Sequence, residues 1–240
     1  MTDLHLMLLS TLQGLTEFLP VSSSGHLILF SKFTTFPDQG IALDVAVHVG
    51  SILAVMIYFS ETIWSIIKGL FKTKFIPTFS NDGAKIFWLV VVGTLPIIVV
   101  GYLLKETGME WVRNTKLIGW TILGYGLLLY VADKWGMTIR EIRHLGVIDA
   151  FLIGCAQCLA LIPGTSRSGI TITMARFLSM ERREAAKFSM LLSIPAIIAA
   201  AALVAFELYQ QQNLNELIYS IDGITYSFIA SIIAIYIVMW

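Results

Sequence analysis

The fold is decided by two polar, proline-broken loops, Pro20-Val21-Ser22-Ser23-Ser24-Gly25-His26 and Pro163-Gly164-Thr165-Ser166-Arg167-Ser168-Gly169-Ile170-Thr171. Each loop ends a short apolar stretch, Leu4 to Leu19 in the first case and Val147 to Ile162 in the second. Both stretches are shorter than the roughly 20 residues that a helix needs to cross the hydrocarbon core of a bilayer. Non-helical backbone at that depth is tolerated only where protein or a wet cavity surrounds it. The pattern therefore predicts two re-entrant helical hairpins, each entering and leaving a membrane on the same side.

The amino-acid composition also indicates a protein embedded in the lipid bilayer. Of the 240 residues, 57% are hydrophobic and 13% are charged, and the formal net charge is zero. Soluble globular proteins carry about 25% charged residues. The chain has too little polar surface for a water-soluble globule, and its charge balance gives no argument for a nucleic-acid partner.

Further segments are long enough, or nearly so, to span the membrane. We therefore predict an all-α polytopic membrane protein with about five or six transmembrane helices. The candidate spans are Ile41 to Phe59, Ile86 to Leu104, Leu117 to Ala132, Ala186 to Phe206 and Ile224 to Trp240.

Basic residues set the orientation. The loop Ser60 to Lys85 carries four lysines and is placed in the cytoplasm, because cytoplasmic loops are enriched in lysine and arginine. The loop Lys105 to Lys116, placed outside by counting spans, has three basic residues and weakly violates that rule. With these assignments the first hairpin enters from outside and the second from inside.

Two hairpins of opposite direction, each followed by a full span, predict an inverted-topology repeat. Transporters with this plan place their binding site where the half-helices meet. We predict a single integral membrane domain over residues 1–240, with one repeat over about 1–115 and the other over about 116–240.

Polar groups in these hairpins are candidates for function, because ionisable residues inside a membrane are expensive. Gln13 and Glu17 are four apart and share one helix face. Glu17 needs a cation, a proton or an arginine: Arg167 is one partner, and a divalent metal held with Gln13 is the other. Glycines beside hydroxyls and an arginine suit a phosphate, since backbone amides and a guanidinium both bind its oxygens. The predicted phosphate-binding residues are Gln13, Ser22, Ser24, Gly25, Gly164, Thr165, Ser168 and Gly169.

The histidines carry different expectations. His26 can shuttle a proton or attack phosphorus. His48 lies in an apolar span with Asp44 four residues before it, and it either holds a residue that contacts the substrate or has a structural role alone. His5 and His144 are expected to be exposed to solvent. The pair Cys155 and Cys158 has redox spacing but no β-α-β context, so we predict packed, unreactive thiols.

Two motifs closely resemble those of undecaprenyl-diphosphate phosphatases of the bacitracin-resistance type. They are Gln13-Gly14-Leu15-Thr16-Glu17-Phe18-Leu19-Pro20-Val21-Ser22-Ser23-Ser24-Gly25-His26 and Pro163 to Thr171. The resemblance implies an inner-membrane hydrolase that converts undecaprenyl diphosphate to undecaprenyl phosphate and phosphate. Such an enzyme recycles the lipid carrier for peptidoglycan synthesis and confers bacitracin resistance. It also implies a magnesium or calcium ion near Glu17 and Gln13, and a site opening to the periplasm. The catalytic residues that it implies are Glu17, Ser23, His26, Ser166, Arg167 and Thr171.

The chain departs from that family in two places. The family motif is E-x-x-x-E, but its first position here is Gln13, which brings a carbonyl ligand without a charge. The family usually continues through one more span than this chain, which ends at Trp240. We therefore expect the last helix of the second repeat to be missing.

Two other functions share features with this sequence. The inverted repeat also suits a lipid-phosphate or anion transporter, that is, a flippase. A phosphatidic-acid-type lipid phosphatase is disfavoured, because its signature needs a histidine after the serine-arginine element and none follows Arg167. The nucleophile is left among Ser23, His26 and water, and a homodimer stays open.

Overall fold

Ten α-helices make up the computed structural model, which describes residues 2–105, 114–211 and 214–238. Within these ranges the β-structure is a single bridge between Arg140 and Met180, so the all-α prediction is confirmed. Short 3-10 turns precede and follow α7 at Ile142–His144 and Cys158–Leu161. The helices are α1 (Asp3–Thr16), α2 (Ser23–Phe33), α3 (Gly40–Tyr58), α4 (Ser60–Lys72), α5 (Asp82–Lys105), α6 (Thr115–Trp135), α7 (Val147–Gln157), α8 (Arg167–Phe177), α9 (Arg182–Gln211) and α10 (Leu214–Val238).

Five of the helices are long and apolar enough to cross a membrane, which confirms a polytopic membrane protein. Each coincides with a span expected from the sequence. They are Gly40–Tyr58, Asp82–Leu104, Thr115–Trp135, Arg182–Gln211 and Ile218–Val238.

The basic segment after α3 is more ordered than the sequence suggested. It was expected as a loop, but its first half forms α4. Gly69 on this helix packs against the start of α5, while Trp64 and Phe71 are exposed. Lysines placed among its apolar residues, such as Lys68 over the ring of Trp64, made this helix resemble a polar loop in the sequence.

Both predicted hairpins form as helix–loop–helix units with the same local solution. The hydroxyl of Ser22 caps α2 by accepting from the amide of Gly25 at 3.2 Å. The hydroxyl of Ser166 caps α8 by accepting from the amide of Gly169 at 3.0 Å. A serine cap satisfies one of the amides that a helix start leaves without a partner.

The first hairpin runs in the same direction as α10. The hydroxyl of Ser10 donates to the carbonyl of Gly223 at 3.3 Å, and Gly14, one turn later, packs against Ala230. Contacts that advance together along both helices mean that α1 and α10 are parallel.

Span α3 shares this direction. Leu43 near its start packs against Gly223 of α10. The ring of Tyr58 at its end lies 5.1 Å from the ring of Tyr236, centroid to centroid. Helices α1, α3 and α10 therefore form one parallel group.

The second hairpin belongs to another group. At the start of α5, Lys85 donates to the carbonyl of Arg143, just before α7, at 2.6 Å. Further along α5, Gly93 packs against Gly154 of α7 and Leu192 of α9. Helices α5 and α7 are therefore parallel.

Helix α9 joins that group and relates it to the first. Glu184 in its first turn accepts from the amide of Ile142, close to the start of α7, at 3.1 Å. Its far end, Val204 to Gln211, lines one crevice with the start of α3. The two groups run in opposite directions, so the two hairpins enter the bundle from opposite ends. The inverted repeat and its boundary near residue 115 stay a prediction.

The hairpin tips meet beneath α6. Ser168 donates to the carbonyl of Leu19 at 3.5 Å across the two loops. Thr121 of α6 donates to the carbonyl of Pro163 at 2.8 Å. Gly164 has a φ of +92°, and a side chain there would collide with Thr121. Glycine is required at this crossing both for its backbone conformation and for its size.

Two minor expectations are wrong. His5 is fully buried rather than solvated, because its ring stacks on Phe36 with centroids 4.4 Å apart. Cys155 and Cys158 are free thiols as expected, but Cys155 lies exposed on α7 instead of packed in the core. A position near a segment end does not tell which way a side chain faces.

Candidate active site

A single carboxylate, Glu17, lies at the junction of the two hairpin tips. It follows the last turn of α1 and is buried, with 6% of its side chain exposed. Its Oε2 accepts from the hydroxyl of Ser23 at 2.6 Å and from the amide of Gln13 at 2.9 Å. Its Oε1 accepts from the guanidinium of Arg167 at 2.6 Å. The residues expected to act together are thus brought together from both halves of the chain.

Arg167 is held in place from two directions. Its Nη2 bonds Glu17, and its Nη1 donates to the carbonyl of Ser189 on α9 at 3.4 Å. Of its five N–H donors, these are the ones with partners in the described part of the chain. The remaining donors match the oxygens of a phosphate in number and geometry.

The amide of Gln13 is oriented by its surroundings. Its Nε2 donates to Glu17 and lies 3.5 Å from the hydroxyl of Ser51. Ser51 also accepts from Ser231 of α10 at 3.0 Å. Both amide hydrogens therefore have partners, and the carbonyl oxygen, Oε1, is buried without one in the described chain.

Two helix starts add positive potential to the site. Ser23 is the first residue of α2, and Arg167 is the first residue of α8. A helix N-terminus carries partial positive charge and favours anions. Together with the guanidinium, these ends balance Glu17 and leave an environment that suits a phosphate group.

Other predicted residues serve the hairpins themselves. The amides of Gly25 and Gly169 bond the capping serines Ser22 and Ser166, and Ser24 lies 3.5 Å from Ser22, hydroxyl to hydroxyl. Their direct contact with phosphate stays a prediction.

The second loop is the more tightly packed of the two. Thr165 is fully buried, and its hydroxyl has no partner in the described chain. Ser168 bonds across to the first loop, and Gly164 lies under α6. These three positions fix how the tips meet.

Thr171 lies where α8 packs on α9. Its hydroxyl bonds the hydroxyl of Ser189 at 2.6 Å and the carbonyl of its own helix at Arg167 at 2.9 Å. It is fully buried. This contact links α8 to α9 next to Arg167 and so stabilises the position of the arginine.

His26 lies on α2 beyond the serine loop and is half-buried. Its Nδ1 donates to the carbonyl of Ser22 at 2.8 Å, which leaves Nε2 as the atom that can meet a substrate. The structure records no bond from this ring to Glu17 or Arg167 in the described ranges.

One site residue was undervalued from the sequence. The Nε2 of His48, on α3, lies 3.5 Å from Glu17 Oε2 and 3.5 Å from Ser23 Oγ. Its sequence signal was a histidine inside an apolar span with Asp44 one turn before it. Ser189 of α9 was missed altogether, because nothing distinguishes it from other serines in apolar helices.

Protein contacts already use most of the acceptor capacity of Glu17. Its two carboxylate oxygens accept from three protein donors, one of them an arginine. Gln13 turns its NH2 group toward Glu17, while its carbonyl oxygen, the kind of atom that binds magnesium or calcium, is buried without a partner in the described chain. The divalent cation at Glu17 and Gln13 that the sequence resemblance implies stays a prediction.

Comparisons with known proteins agree with one another. Residues 6–240 match the family model described as bacitracin resistance protein BacA. The chain is 50% identical over 205 residues to the undecaprenyl-diphosphatase of Roseobacter denitrificans, covering 85% of this chain and 76% of that one. It is 42% identical over 236 residues to the enzyme of the same name from Alteromonas mediterranea, covering 98% and 88%. It is also 42% identical over 240 residues to that from Dinoroseobacter shibae, covering 100% and 90%.

Proposed function

This chain belongs to the bacitracin resistance protein BacA family, and we propose that it hydrolyses undecaprenyl diphosphate to undecaprenyl phosphate and inorganic phosphate. The observation that carries this function is the ion pair between Glu17 and Arg167, which joins the two hairpin tips. It builds an anion site inside a membrane protein whose relatives are named for this reaction. The activity recycles the lipid carrier for peptidoglycan synthesis and gives bacitracin resistance.

The diphosphate binds where the two helix starts and Arg167 converge. The guanidinium donates to oxygens of the terminal phosphate, and the positive ends of α2 and α8 stabilise the charge that builds up as the phosphoryl group is transferred. Such preorganised electrostatic stabilisation in a water-poor site is usually the largest contribution to catalysis. The prenyl tail remains among apolar side chains that face lipid.

Glu17 keeps the reacting hydroxyl in position. Its carboxylate holds Ser23 from one side and Arg167 from the other, so nucleophile and phosphate-binding group share one anchor. Nε2 of His26, whose other ring nitrogen bonds the carbonyl of Ser22, is the second group that we propose to contact the substrate. In this scheme Ser166 and Thr171 fix the start of α8 and, through it, Arg167.

We assign the protein to the bacterial inner membrane with its site open to the periplasm. Charge placement supports this orientation. The four-lysine segment follows the C-terminal end of α3 and is assigned to the cytoplasm, so the start of α3 at Gly40 is assigned to the periplasmic side. The crevice between the start of α3 and the end of α9 then faces outward. A homodimer and a divalent-cation requirement stay predictions.

Phosphate release from undecaprenyl diphosphate by purified protein in detergent tests the function. Wild-type protein is expected to release phosphate, and Arg167→Ala is expected to lose at least about 100-fold in kcat/KM, as when a transition-state donor is removed. Arg183→Ala, an exposed arginine outside the site, is the matched control and should match wild type.

Two outcomes would overturn the assignment. Wild-type activity in Arg167→Ala would remove the site. Absence of release by intact protein would favour a transporter, because a detergent solution has no second compartment and pure transport releases no phosphate.

A further inference from the structure

The imidazole of His48 is held in one orientation. Its Nδ1 lies 2.6 Å from the backbone carbonyl oxygen of Asp44, one turn earlier on α3. A carbonyl only accepts, so Nδ1 carries a proton. The neutral ring then presents the lone pair of Nε2, as in catalytic histidines whose tautomer is set by the bond at the other nitrogen.

That lone pair faces Ser23, whose hydroxyl hydrogen is donated to Glu17 Oε2 in the substrate-free structure and reaches Nε2 by rotation about the Cβ–Oγ bond. Nε2 lies 3.5 Å from Ser23 Oγ and 3.5 Å from Glu17 Oε2. Hydrogen bonds between a charged donor and a carboxylate are usually about 2.7–2.9 Å long. Both separations at His48 exceed that length. Catalytic hydrogen bonds are often long before substrate binds and tighten afterwards.

We propose that His48 is the general base of this site: it takes the hydroxyl proton of Ser23 as Ser23 Oγ attacks the terminal phosphorus. This inference rests on the proposed function. In the first step the Oγ–P bond forms, the bond from that phosphorus to the bridging oxygen breaks, and undecaprenyl phosphate leaves with the bridging oxygen. The proton moves from Oγ to Nε2.

A second step returns the enzyme to its starting state. Water attacks the phosphoserine, the Oγ–P bond breaks, and Nε2 gives its proton back to Ser23 Oγ. Both hydrogens of the water leave with the inorganic phosphate or pass to solvent. Atoms and protons balance with water as the only co-reactant.

Glu17 is the nearer base, but it is poorly suited to take the proton. Protonating it would end its ion pair with Arg167, which joins the two hairpins. Gln13 cannot take a proton either, although the family motif has a carboxylate at that position. His48 thus supplies the proton acceptor that this variant of the motif lacks.

In the described chain the recorded charged neighbours of His48 are Glu17, with Arg167 beyond it, and Asp44 one turn earlier on α3, whose carboxylate accepts from Gln39. The neighbouring spans contribute hydroxyls to this region: Ser189 from α9, and Ser227 and Ser231 from α10.

His48→Gln tests the proposal, since glutamine keeps hydrogen-bonding capacity but cannot take the proton. We expect kcat/KM for undecaprenyl diphosphate to fall about 100-fold or more, the usual contribution of a general base. The acid limb of the kcat/KM profile, which reports the base of the free enzyme, should be lost as well. His144→Gln, an exposed histidine outside the site, is the control and should keep rate and profile.

A double variant separates catalysis from folding. If His48 acts through Ser23, Ser23→Ala/His48→Gln should be no slower than Ser23→Ala alone, because residues that act as a unit are not additive. Multiplying effects would overturn the proposal, as would a His48→Gln enzyme with wild-type rate and profile. If instead the wild-type protein itself released no phosphate, the proposed function would fail before this inference was reached.

Discussion

The site balances its charges with one carboxylate and one guanidinium. Gln13 completes that balance as a neutral donor, with one amide hydrogen toward Glu17 and the other toward Ser51. A glutamate in its place would set two carboxylates side by side with a single arginine. Like charges at that distance repel strongly away from water, so a cation would be needed between them.

Gln13→Glu is therefore expected to create a divalent-cation site in the substrate-free protein. Titration calorimetry with Ca²⁺ should show binding to the variant and none to wild type. Gln13→Met, which removes the amide without adding a carboxylate, is the control and should not bind. Equal binding by wild type and Gln13→Glu would show that Glu17 accepts a cation in spite of its protein donors.

The sequence predicted the site residues that come from the two loops, but not those that come from the long spans. Gln13, Glu17, Ser23 and Arg167 were expected and do meet, because the loop motifs carry them. His48 and Ser189 come from long spans, and one sequence does not fix how a span is rotated about its axis. Thr171 bonds Ser189 of α9, and its contact with the substrate stays a prediction.

Close helix crossings set the positions of the hairpins. Gly154 of α7 packs directly on the backbone of Gly93 of α5, and a side chain at Gly154 would collide with that carbonyl. Gly14 of α1 packs in the same way against Ala230 of α10. Each hairpin is thus seated on a span by a glycine contact, which lets helix backbones approach closely in a membrane.

Gly154→Ala should destabilise the protein by about 1–3 kcal/mol, the usual cost of inserting a group into a packed contact. Thermal unfolding of purified protein in detergent measures the effect as a lower melting temperature. Gly124→Ala on α6, where nothing lies within 4 Å of an added Cβ, is the matched control. An unchanged melting temperature for both variants would mean that α5 and α7 separate at little cost.

Element-level prediction was most successful where length and hydropathy agree. All five expected spans are present, and both short apolar stretches stop at their prolines. Helix α4 was not expected, because its lysines made the segment read as a cytoplasmic loop. Hydropathy finds helices that lipid surrounds and overlooks those that lie partly in water.

Across the whole molecule, two groups of three parallel helices run in opposite directions. The Glu17–Arg167 pair joins the two hairpin tips between them. Helices α1, α3 and α10 form one group, and α5, α7 and α9 form the other. This is the arrangement that the basic loops predicted for hairpins entering from opposite faces. The relation of each group to the lipid bilayer follows from charge placement alone and can be measured.

Single cysteines in a Cys155→Ser/Cys158→Ser background should report the two sides. A membrane-impermeant maleimide is expected to label Thr35→Cys, after the first hairpin, from the periplasmic side of intact spheroplasts. His144→Cys and Arg183→Cys, which flank the second hairpin, should label only in inverted vesicles. Labelling of all three from one side would rule out opposed hairpins.

The ion pair at the centre joins residues 150 positions apart in the chain, and this has a consequence for biosynthesis. The ribosome delivers Glu17 long before Arg167, and a lone carboxylate is costly in hydrocarbon. We therefore expect the first hairpin to stay near the membrane surface, in contact with water, while the following spans insert. It would reach its final depth once the second hairpin supplies the arginine. Chains that end before Arg167 therefore cannot form the pair on which the proposed function rests.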